Sequence, residues 1–412
     1  MRILFSLTYY TPYVSGLTLY VKRLAERLAK KDYQVSVISF QFKKKLALKE
    51  TINRVKVIRV KPLFKISKGF ISIDWFAKSF AGIKEASVIF INLPQFEGFI
   101  PALWGRILGR RVIAIYHCEV KLPSGLLNYF LETILNLANR LTLLLAQSII
   151  TYTEDFAYNS RILPYFQKKI KCCYPPVNKP IINKRVQKII REKIGRKPGF
   201  VIGVAARLAA EKGIEYLLES IPYIEEMLIP SSRAKSRDLS RMRARTSREI
   251  PPHASLGRNY NEVLFKIIVA GPMEPVGEEK YRKKILKLIE KFRKYVVFLG
   301  ELDEEDMGSF YSLLDVLVLP SVNSTEAFGM VQVEAMMMGV GVVATDLPGV
   351  RVPIEKTGMG KIVAVRNSKK LAEAIVEVLK NKQKYIKNKG LAQREFLIDK
   401  TIFAYDKILK SL

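Results

Sequence analysis

Two glutamates, Glu326 and Glu334, stand eight residues apart around the start of a helix that the sequence predicts near Met330–Met338. Glu326 lies in the loop after an apolar strand at Val316–Leu319, and Glu334 lies up to two turns into the helix. A helix N-terminus exposes unpaired N–H groups and a partial positive charge, so it suits a phosphate. A carboxylate beside it cannot ligate that phosphate, but it can accept hydrogen bonds from hydroxyl groups.

A diphosphate held by helix amides and flanked by two hydroxyl-binding carboxylates is the outline of a nucleotide-sugar site. The spacing of Glu326 and Glu334 alone is common, however. The alternative is a loop carboxylate near a helix cap and a solvated glutamate on the helix. The residues around the pair therefore decide between the two interpretations.

The segment around this pair resembles a pattern of retaining GT-B glycosyltransferases, specifically glycosyltransferase family 4. That pattern is Glu-x-Phe-Gly, four residues, then Glu-Ala-x-Ala-x-Gly, and the chain has Glu326-Ala-Phe-Gly329-Met-Val-Gln-Val-Glu334-Ala-Met-Met-Met-Gly339. The next loop of the family usually carries two glycines, whereas this chain has Pro348-Gly349-Val350. The resemblance covers nearly the whole chain outside residues 230–262 and implies the GT-B fold and transfer of a sugar.

A basic loop, Arg207-Leu-Ala-Ala-Glu-Lys212-Gly213, follows a predicted strand at Phe200–Ala205 and resembles the Gly-Arg-x4-Lys-Gly loop of the family. Ala206 replaces the usual glycine. Arg207 can grip phosphate oxygens as a planar fork and Lys212 as a point charge. Both would neutralise the charge that develops on a leaving diphosphate. The alternative is an ordinary exposed basic loop.

Two further positions in the first part of the chain match the family. Gly16 precedes the first long helix, predicted at Leu17–Lys31, and would let the backbone approach a diphosphate, although Ser15 stands where the family usually has a second glycine. His117 ends the strand Val112–Tyr116, where a family histidine contacts the donor sugar. A lone histidine is more often structural, and that alternative stays open.

The resemblance also assigns roles to these positions. It implies that Glu326 binds hydroxyls of the donor sugar, Glu334 holds the ribose diol and His117 orients the sugar. Arg207 and Lys212 stabilise the leaving diphosphate. The remaining donor-binding positions carried over from the family are Gly16, Leu302, Phe328, Gly329, Met330 and Val331.

We expect catalysis without a metal or other cofactor. The acidic run Asp303–Asp306 sits at a helix start, where the dipole favours acids, and no Asp-x-Asp motif follows a strand. Basic phosphate ligands also disfavour a glycoside hydrolase, although two carboxylates could suggest one. No general base is needed if a leaving phosphate oxygen takes the acceptor's proton.

Alternating strands and helices predict an α/β fold with two similar halves. The first domain, residues 1–177, is Rossmann-like and faces the acceptor. The second, 178–393, is Rossmann-like and binds the nucleotide sugar, and residues 394–412 form a helix that, in the resembled fold, crosses back to the first domain. The cleft between the halves, at the carboxyl ends of their strands, is the expected site.

Residues 230–262 break this alternation. The stretch is rich in arginine and serine and has little apolar periodicity, so it is interpreted as a disordered basic insertion. An RNA-binding arm is the alternative, but aromatic residues do not interleave its arginines apart from Tyr260.

The charge balance is strongly basic, with 69 Lys and Arg against 38 Asp and Glu, and a formal net charge of +31. Such a field attracts anions: nucleotides, nucleic acids or acidic lipids. The basic first domain, with apolar residues over Leu122–Leu145, predicts peripheral contact with an anionic membrane. General basicity is the competing explanation.

The sequence predicts a cytoplasmic setting, and the lipid-linked acceptors of many family members imply peripheral attachment to the inner face of the plasma membrane. Cys118, Cys172 and Cys173 form no disulfide framework, and Met1 leads directly into a strand without a signal-peptide pattern.

The sequence therefore predicts a retaining hexosyltransferase that uses a UDP- or GDP-sugar and a glycan or lipid-linked hydroxyl acceptor. The alternatives are a catalytically degenerate GT-B protein acting as a binding or scaffold subunit, or a basic binder of membrane surfaces or nucleic acid. A specific nucleic-acid partner is not expected, because no recognised motif supports one.

Overall fold

Two parallel β-sheets organise the chain, and a computed structural model describes them over residues 1–66, 69–122, 125–195, 198–229, 263–273 and 279–411. The predicted insertion at 230–262 lies outside these described residues. Within them, the strands are β1 Arg2–Ser6, β2 Gln34–Phe40, β3 Lys49–Ile52, β4 Val55–Val60, β5 Phe64–Ile66, β6 Gly69–Ile71, β7 Val88–Leu93, β8 Arg111–Tyr116, β9 Ser148–Thr151, β10 Ile170–Cys172, β11 Phe200–Ala205, β12 Phe265–Ala270, β13 Val296–Gly300, β14 Val316–Leu319, β15 Gly341–Thr345 and β16 Gly360–Val363.

Helices surround both sheets. In the described ranges they are α1 Gly16–Ala29, α2 Asp74–Glu85, α3 Phe99–Ile107, α4 Leu126–Leu145, α5 Glu154–Asn159, α6 Lys184–Ile194, α7 Ile214–Leu228, α8 Glu279–Lys291, α9 Met307–Tyr311, α10 Met330–Met337, α11 Val352–Thr357, α12 Ser368–Lys380, α13 Lys382–Ile386, α14 Lys389–Phe396 and α15 Ile398–Lys410.

The two sheets share one topology. The first runs β10-β9-β8-β7-β1-β2-β4-β3, with only the edge pair β3–β4 antiparallel, and the second runs β13-β12-β11-β14-β15-β16, all parallel. In each, strand order reverses beside the first strand of the sheet, β1 or β11. Open parallel sheets bind ligands at such switch points, outside the carboxyl ends of the strands. The predicted α/β class with two Rossmann-like units is confirmed.

Continuous apolar strands explain why both sheets are buried on both faces. All six residues of β7 are buried, as are all four of β14. Parallel strands covered by helices on both sides read as such unbroken Val, Ile and Leu runs. Their polar neighbours are therefore forced to the strand ends, where the cleft lies.

The terminal helix begins later than expected. The sequence predicts one helix from Arg394, but α14 ends at Phe396 and α15 starts at Ile398. Leu397 between them has extended backbone (ψ 141°) and forms a parallel bridge with Val177, at the passage between the two sheets. A residue that pairs like a strand cannot continue a helix, so the single predicted helix is wrong.

Helix α15 packs against the first domain. The hydroxyls of Tyr405 and Tyr20 are 2.6 Å apart, and Tyr33 donates to Asp406 at 2.7 Å. The buried apolar residues of α15 join the same core cluster as β1, β7 and β8. After the second domain, the chain therefore returns to the first domain.

Candidate active site

Two loops of the second domain interlock beside helix α10. The first, Arg207–Gly213, follows β11, and the second, Ser321–Glu326, follows β14. Gly213 has a positive φ of 61°, and a Cβ there would collide with the carbonyl oxygen of Pro320. The Val322 amide also donates to the Glu211 carbonyl at 3.0 Å. Only glycine permits this approach, which fixes the two loops against each other.

The interlocked loops bring Lys212 and Glu326 into contact. Lys212 Nζ lies 2.6 Å from Glu326 Oε2, and the two side chains are 21% and 15% exposed. Ser321 Oγ lies 3.5 Å from the same oxygen. The two side chains are partly buried, and their opposite charges neutralise each other.

Arg207 belongs to the same constellation. Its guanidinium donates to Glu211 at 2.6 Å across one turn of the loop. Burial raises the pKa of the Cys118 thiol to about 12; the charge of Glu326 adds to that rise, whereas Lys212 and Arg207 oppose it. Arg207 and Lys212 belong to one loop of the second domain, and Glu326 belongs to the loop that interlocks with it.

Two helix N-termini also meet at this point. Gly329 caps α10 in a left-handed conformation (φ 76°), where a Cβ would collide with Leu319. The side chain of Met330, the first residue of α10, lies 3.9 Å from the position of a Cβ on Gly16, the first residue of α1. The N-termini of α10 and α1 therefore lie close together. Ser15 caps α1 by accepting a hydrogen bond from the Thr18 amide at 3.2 Å.

The predicted donor-binding positions Phe328 and Leu302 are placed differently. Phe328 is 1% exposed, and its ring packs against Tyr152, Tyr174 and Phe396 at centroid distances of 6.1, 5.7 and 5.8 Å. The ring is removed from water between the two domains, and a donor-binding role for this position stays a prediction. Leu302 is half-buried and packs against the core of the second domain.

Glu334 is neither solvated nor open. Its Oε1 accepts from Arg23 of helix α1 at 2.8 Å, and its Oε2 accepts from Tyr311 at 2.7 Å. Arg23 is 6% exposed and also donates to Glu304 at 2.6 Å and to the Pro176 carbonyl at 3.1 Å. Burial opposes the charge of Arg23, but Glu334 and Glu304 more than compensate and raise its pKa. The alternative of a solvated helix glutamate is wrong.

His117 is buried inside the first domain. Nε2 is 2.9 Å from Asn92 Oδ1, and Nδ1 is 2.6 Å from the Tyr152 hydroxyl. The side-chain amide of Asn92 donates to the Ser6 carbonyl, which fixes its orientation and leaves Oδ1 facing the histidine as an acceptor. Nε2 of His117 therefore carries the proton, and Nδ1 accepts a hydrogen bond from the Tyr152 hydroxyl. Burial lowers the pKa of His117 to about 3. Both ring nitrogens are used within the first domain, and contact with a sugar stays a prediction.

Carboxylates of the first domain tie the two domains together. Asp155 accepts from Arg351 Nε and Nη2 at 2.9 and 3.0 Å and from the Gly349 amide at 2.7 Å. Burial opposes the charged form of Asp155, but the hydrogen bonds from Arg351 and the Gly349 amide outweigh that effect and lower its pKa. Glu119 accepts from Ser324 across the cleft at 2.9 Å. Arg351 lies in the loop where the second family glycine is missing, and it acts there as a clamp.

Sequence reasoning missed the partners of these groups. Arg23 stands seven residues after Gly16, on the same stripe of α1 as Tyr20. That spacing was the available signal, since residues i, i+4 and i+7 share a helix face. Tyr311, Asn92 and Tyr152 gave no comparable signal, because their roles depend on side chains far away in sequence.

Across the described part of the chain, the structure shows no cluster of three His, Cys, Asp or Glu residues suited to a metal ion.

Two family models match the chain. "Glycosyltransferase Family 4" matches residues 14–179, and "Glycosyl transferases group 1" matches residues 257–393. The first covers the unit that carries Gly16 and His117, and the second covers the unit that carries Glu326 and Glu334. Together they take in most of the chain.

Curated relatives agree with these matches. An "Uncharacterized glycosyltransferase MJ1607" from Methanocaldococcus jannaschii is 26% identical, covering 89% of this chain and 85% of its own length. A phosphatidyl-myo-inositol mannosyltransferase from Mycobacterium leprae is 33% identical, but the match covers only 33% of this chain and 35% of that relative. The chain thus spans about a third of the length of that mannosyltransferase.

Solved structures share the fold over the full length. Anabaena Alr3699/HepE, solved in complex with UDP, has a TM-score of 0.71 at 21% identity and full coverage of both chains. Sucrose-phosphate synthase from Thermosynechococcus elongatus has a TM-score of 0.69 at 16% identity, covering 100% of this chain and 98% of its own. The two family models, one on each half, show that the chain belongs to glycosyltransferase family 4, and the solved structures show that it has the GT-B fold.

Proposed function

We propose that the protein is a retaining glycosyltransferase that moves a hexose from a UDP- or GDP-sugar to a hydroxyl group of a glycan or lipid-linked acceptor. The observation that carries the proposal is the contact between Lys212 and Glu326 at the start of α10. It joins a cation for a diphosphate to a carboxylate for sugar hydroxyls, beside a helix N-terminus that favours phosphate.

In this proposal the diphosphate lies across the N-terminus of α10. Lys212 and Arg207 leave their carboxylate partners and bind the phosphate oxygens, while Glu326 turns to the sugar hydroxyls. Their charges stabilise the nucleoside diphosphate as the bond between its oxygen and the anomeric carbon breaks. The acceptor oxygen forms the new bond to that carbon, and its proton passes to the leaving phosphate oxygen.

This scheme needs neither a metal nor a protein general base. Retention of anomeric configuration rests on family membership. The likeness to HepE, which was solved with UDP-glucose as well as UDP, supports a nucleotide-sugar donor.

Donor binding is proposed to require movement of Arg23. Glu334 can accept hydrogen bonds from a ribose diol only if Arg23 or Tyr311 releases one of its oxygens. Arg23 belongs to the first domain and Glu334 to the second, so separation of the domains would expose the carboxylate. Reclosure around the donor would then exclude water from the reacting bond.

His117 has a positioning role in this scheme. A neutral ring fixed at both nitrogens cannot exchange protons with a substrate near neutral pH, but it anchors the end of β8 to Asn92 and Tyr152. Glu119, two residues further on, contacts Ser324 of the second domain.

The test is release of nucleoside diphosphate from a panel of UDP- and GDP-sugars with EDTA present. We expect one donor to be turned over, and Glu326→Gln to lower the rate by roughly a hundredfold or more, as for other groups that stabilise a transition state directly. Glu290→Gln is the matched control, because Glu290 is 75% exposed on α8. The anomeric configuration of the product, read by NMR, tests retention.

Three outcomes would overturn the proposal. Equal rates for Glu326→Gln and wild type would remove Glu326 from the reaction. Nucleotide binding without turnover of any donor would favour a degenerate GT-B protein, and absence of both would favour a basic surface binder.

A further inference from the structure

Large apolar side chains are exposed along helix α4 of the first domain. Phe130, Leu137 and Leu144 recur every seven residues and are 60%, 58% and 61% exposed, so they form one stripe on the outer face of the helix. Leu126 and Leu127 extend the stripe at the start of α4, with Leu126 94% exposed. Removal of such side chains from water is favourable, so contact with an apolar medium would stabilise this face.

Helices α2 and α3 continue the same surface. They pack side by side with α4, in the order α2, α3, α4. Phe76 on α2 and Leu103 and Ile107 on α3 are exposed, and Phe80 of α2 meets Trp104 of α3 at a ring distance of 5.2 Å. We call the exposed side of these three helices the α2–α4 face.

Basic residues accompany the apolar ones on this face. The exposed or half-exposed cations on its helices and connecting loops include Lys78, Lys84, Arg106, Lys121 and Arg140. The exposed or half-exposed acids on the same stretch are Asp74, Glu85 and Glu132. An apolar face with an excess of cations is complementary to a surface that is apolar within and anionic outside.

The second domain has no comparable surface in its described part. Its large exposed apolar residues are fewer, with Ile181, Ile182 and Ile189 around α6 and Tyr223 on α7. Single exposed apolar residues need no explanation, whereas a continuous patch marks an interaction site. A second copy of this chain is a poor occupant, because its formal charge of +31 would oppose contact between two like-charged basic faces.

We propose that the α2–α4 face is a docking surface for an anionic lipid bilayer. The apolar side chains of α4 enter the region between headgroups and acyl chains, and the cations bind lipid phosphates. The attachment is peripheral: within the described residues, no helix is both long and apolar enough to cross a membrane. Use of this attachment in catalysis rests on the proposed function, but the attachment itself does not.

Docking would bring the acceptor side of the cleft to the lipid. A cavity of about 70 Å³ lies between α4 and the end of β8, lined by Glu119, Asn136, Arg140 and Arg161 among others. Asn136 and Arg140 belong to α4 itself. A headgroup whose chains lie along the stripe would therefore reach the side of Glu119, which also touches the second domain.

The experiment is sedimentation of the full chain with vesicles of phosphatidylcholine alone or mixed with phosphatidylglycerol. We expect binding to the anionic vesicles at low salt, weakened by high salt. Phe130→Ser/Leu137→Ser should lower the partition coefficient by about tenfold or more. Ile181→Ser/Ile189→Ser, in the second domain, is the matched control and should bind like wild type.

Two further variants change only exposed side chains, so a loss of binding would not be explained by unfolding. Leu126→Ser changes a side chain that contacts little of the protein, and it should still weaken binding several-fold. Lys84→Gln/Arg106→Gln should weaken binding and make it less sensitive to salt. Thermal melting and donor turnover in solution, without vesicles, show whether each variant is folded and whether the proposed function holds separately.

The proposal is overturned if wild type ignores anionic vesicles, or if the α4 variants bind them as wild type does. It is also overturned if wild type is a dimer by light scattering and Phe130→Ser/Leu137→Ser makes it monomeric, because the face would then be covered by a second copy.

Discussion

The two sides of the cleft hold their functional groups in different ways. In the second domain, Lys212 and Glu326 form a charged pair that is partly exposed, with 2.6 Å between nitrogen and oxygen. In the first domain, His117 is buried and held by two neutral groups, Asn92 and Tyr152. A charged, accessible pair can trade its partners for a ligand, whereas a buried neutral network can only hold its shape.

This difference separates direct contact from positioning. The second domain should carry groups that meet the diphosphate and sugar. The first domain should carry groups that set the position of the strand ends facing them. Substitutions on the two sides are therefore expected to differ in size and kind.

The largest effect is expected at Lys212. Lys212→Met should lower turnover by roughly 10²–10³-fold, because it removes a charge that stabilises the leaving diphosphate. Turnover is measured by nucleoside diphosphate release at saturating donor.

The matched control is Lys361→Met, which breaks an ion pair with Glu377 at 3.0 Å in which both side chains are more than a third exposed. Such pairs contribute little, so turnover should be unchanged. If Lys212→Met turned over the donor at nearly the wild-type rate, the proposal that the second domain contacts the diphosphate directly would be contradicted.

The next effect is expected where the two sides meet. Arg23→Gln should destabilise the closed protein by roughly 3–5 kcal/mol, because it leaves Glu334 and Glu304 without their buried cation. The melting temperature should fall, and the double variant Arg23→Gln/Glu334→Gln should lose less than the sum of the single losses.

Lys370→Gln provides the comparison, since its partner Glu373 is on the surface. Additive losses for Arg23 and Glu334 would mean that the contact between the domains contributes no coupling energy.

We expect His117 to make the free energy of unfolding depend on pH. Its pKa is about 3 in the folded protein and about 6.5 when unfolded, so between these values the unfolded chain binds the extra proton. Its stabilising contribution is complete above pH 6.5 and is lost as the pH falls toward 3, at up to about 1.4 kcal/mol per pH unit.

His117→Asn should therefore flatten the fall in melting temperature over that range. Activity of wild type should show no step near pH 6.5 that the substitution removes. A step of that kind would mean that His117 titrates in the working site.

The smallest effect is expected at the clamp between Asp155 and Arg351. Asp155→Asn should cost about 1 kcal/mol or less, because both side chains are about a quarter exposed. A modest rise in the donor KM with little change in kcat would follow from easier opening of the domains. An effect as large as that of Lys212→Met would place Asp155 among the groups that touch the substrate.

The sequence alone predicts where the central strands lie and which loops follow them. Unbroken apolar runs at Val316–Leu319 and Phe200–Ala205 located β14 and β11 with their observed bounds. The loops that follow these two strands bring Lys212 into contact with Glu326. The alternation of strands and helices predicts that these loops lie at the same edge of one parallel sheet. Local pattern is enough here because neighbouring parallel strands must end at the same edge of the sheet.

Long-range contacts set the limit of that reasoning. The break at Leu397 depends on pairing with Val177, and the burial of Phe328 depends on rings from both domains. The edge strand β3 was also missed, because its short, polar sequence lacks the apolar run that marked the central strands. None of these features has a local signal, so the structure was needed to find them.

The most direct test of the difference between the two sides is calorimetric titration with UDP and GDP in the presence of EDTA. We predict that one nucleotide binds wild type, that Lys212→Met loses roughly tenfold or more in affinity, and that His117→Asn binds as wild type does. Equal loss in both variants, or binding that appears only when a divalent metal is added, would contradict the account.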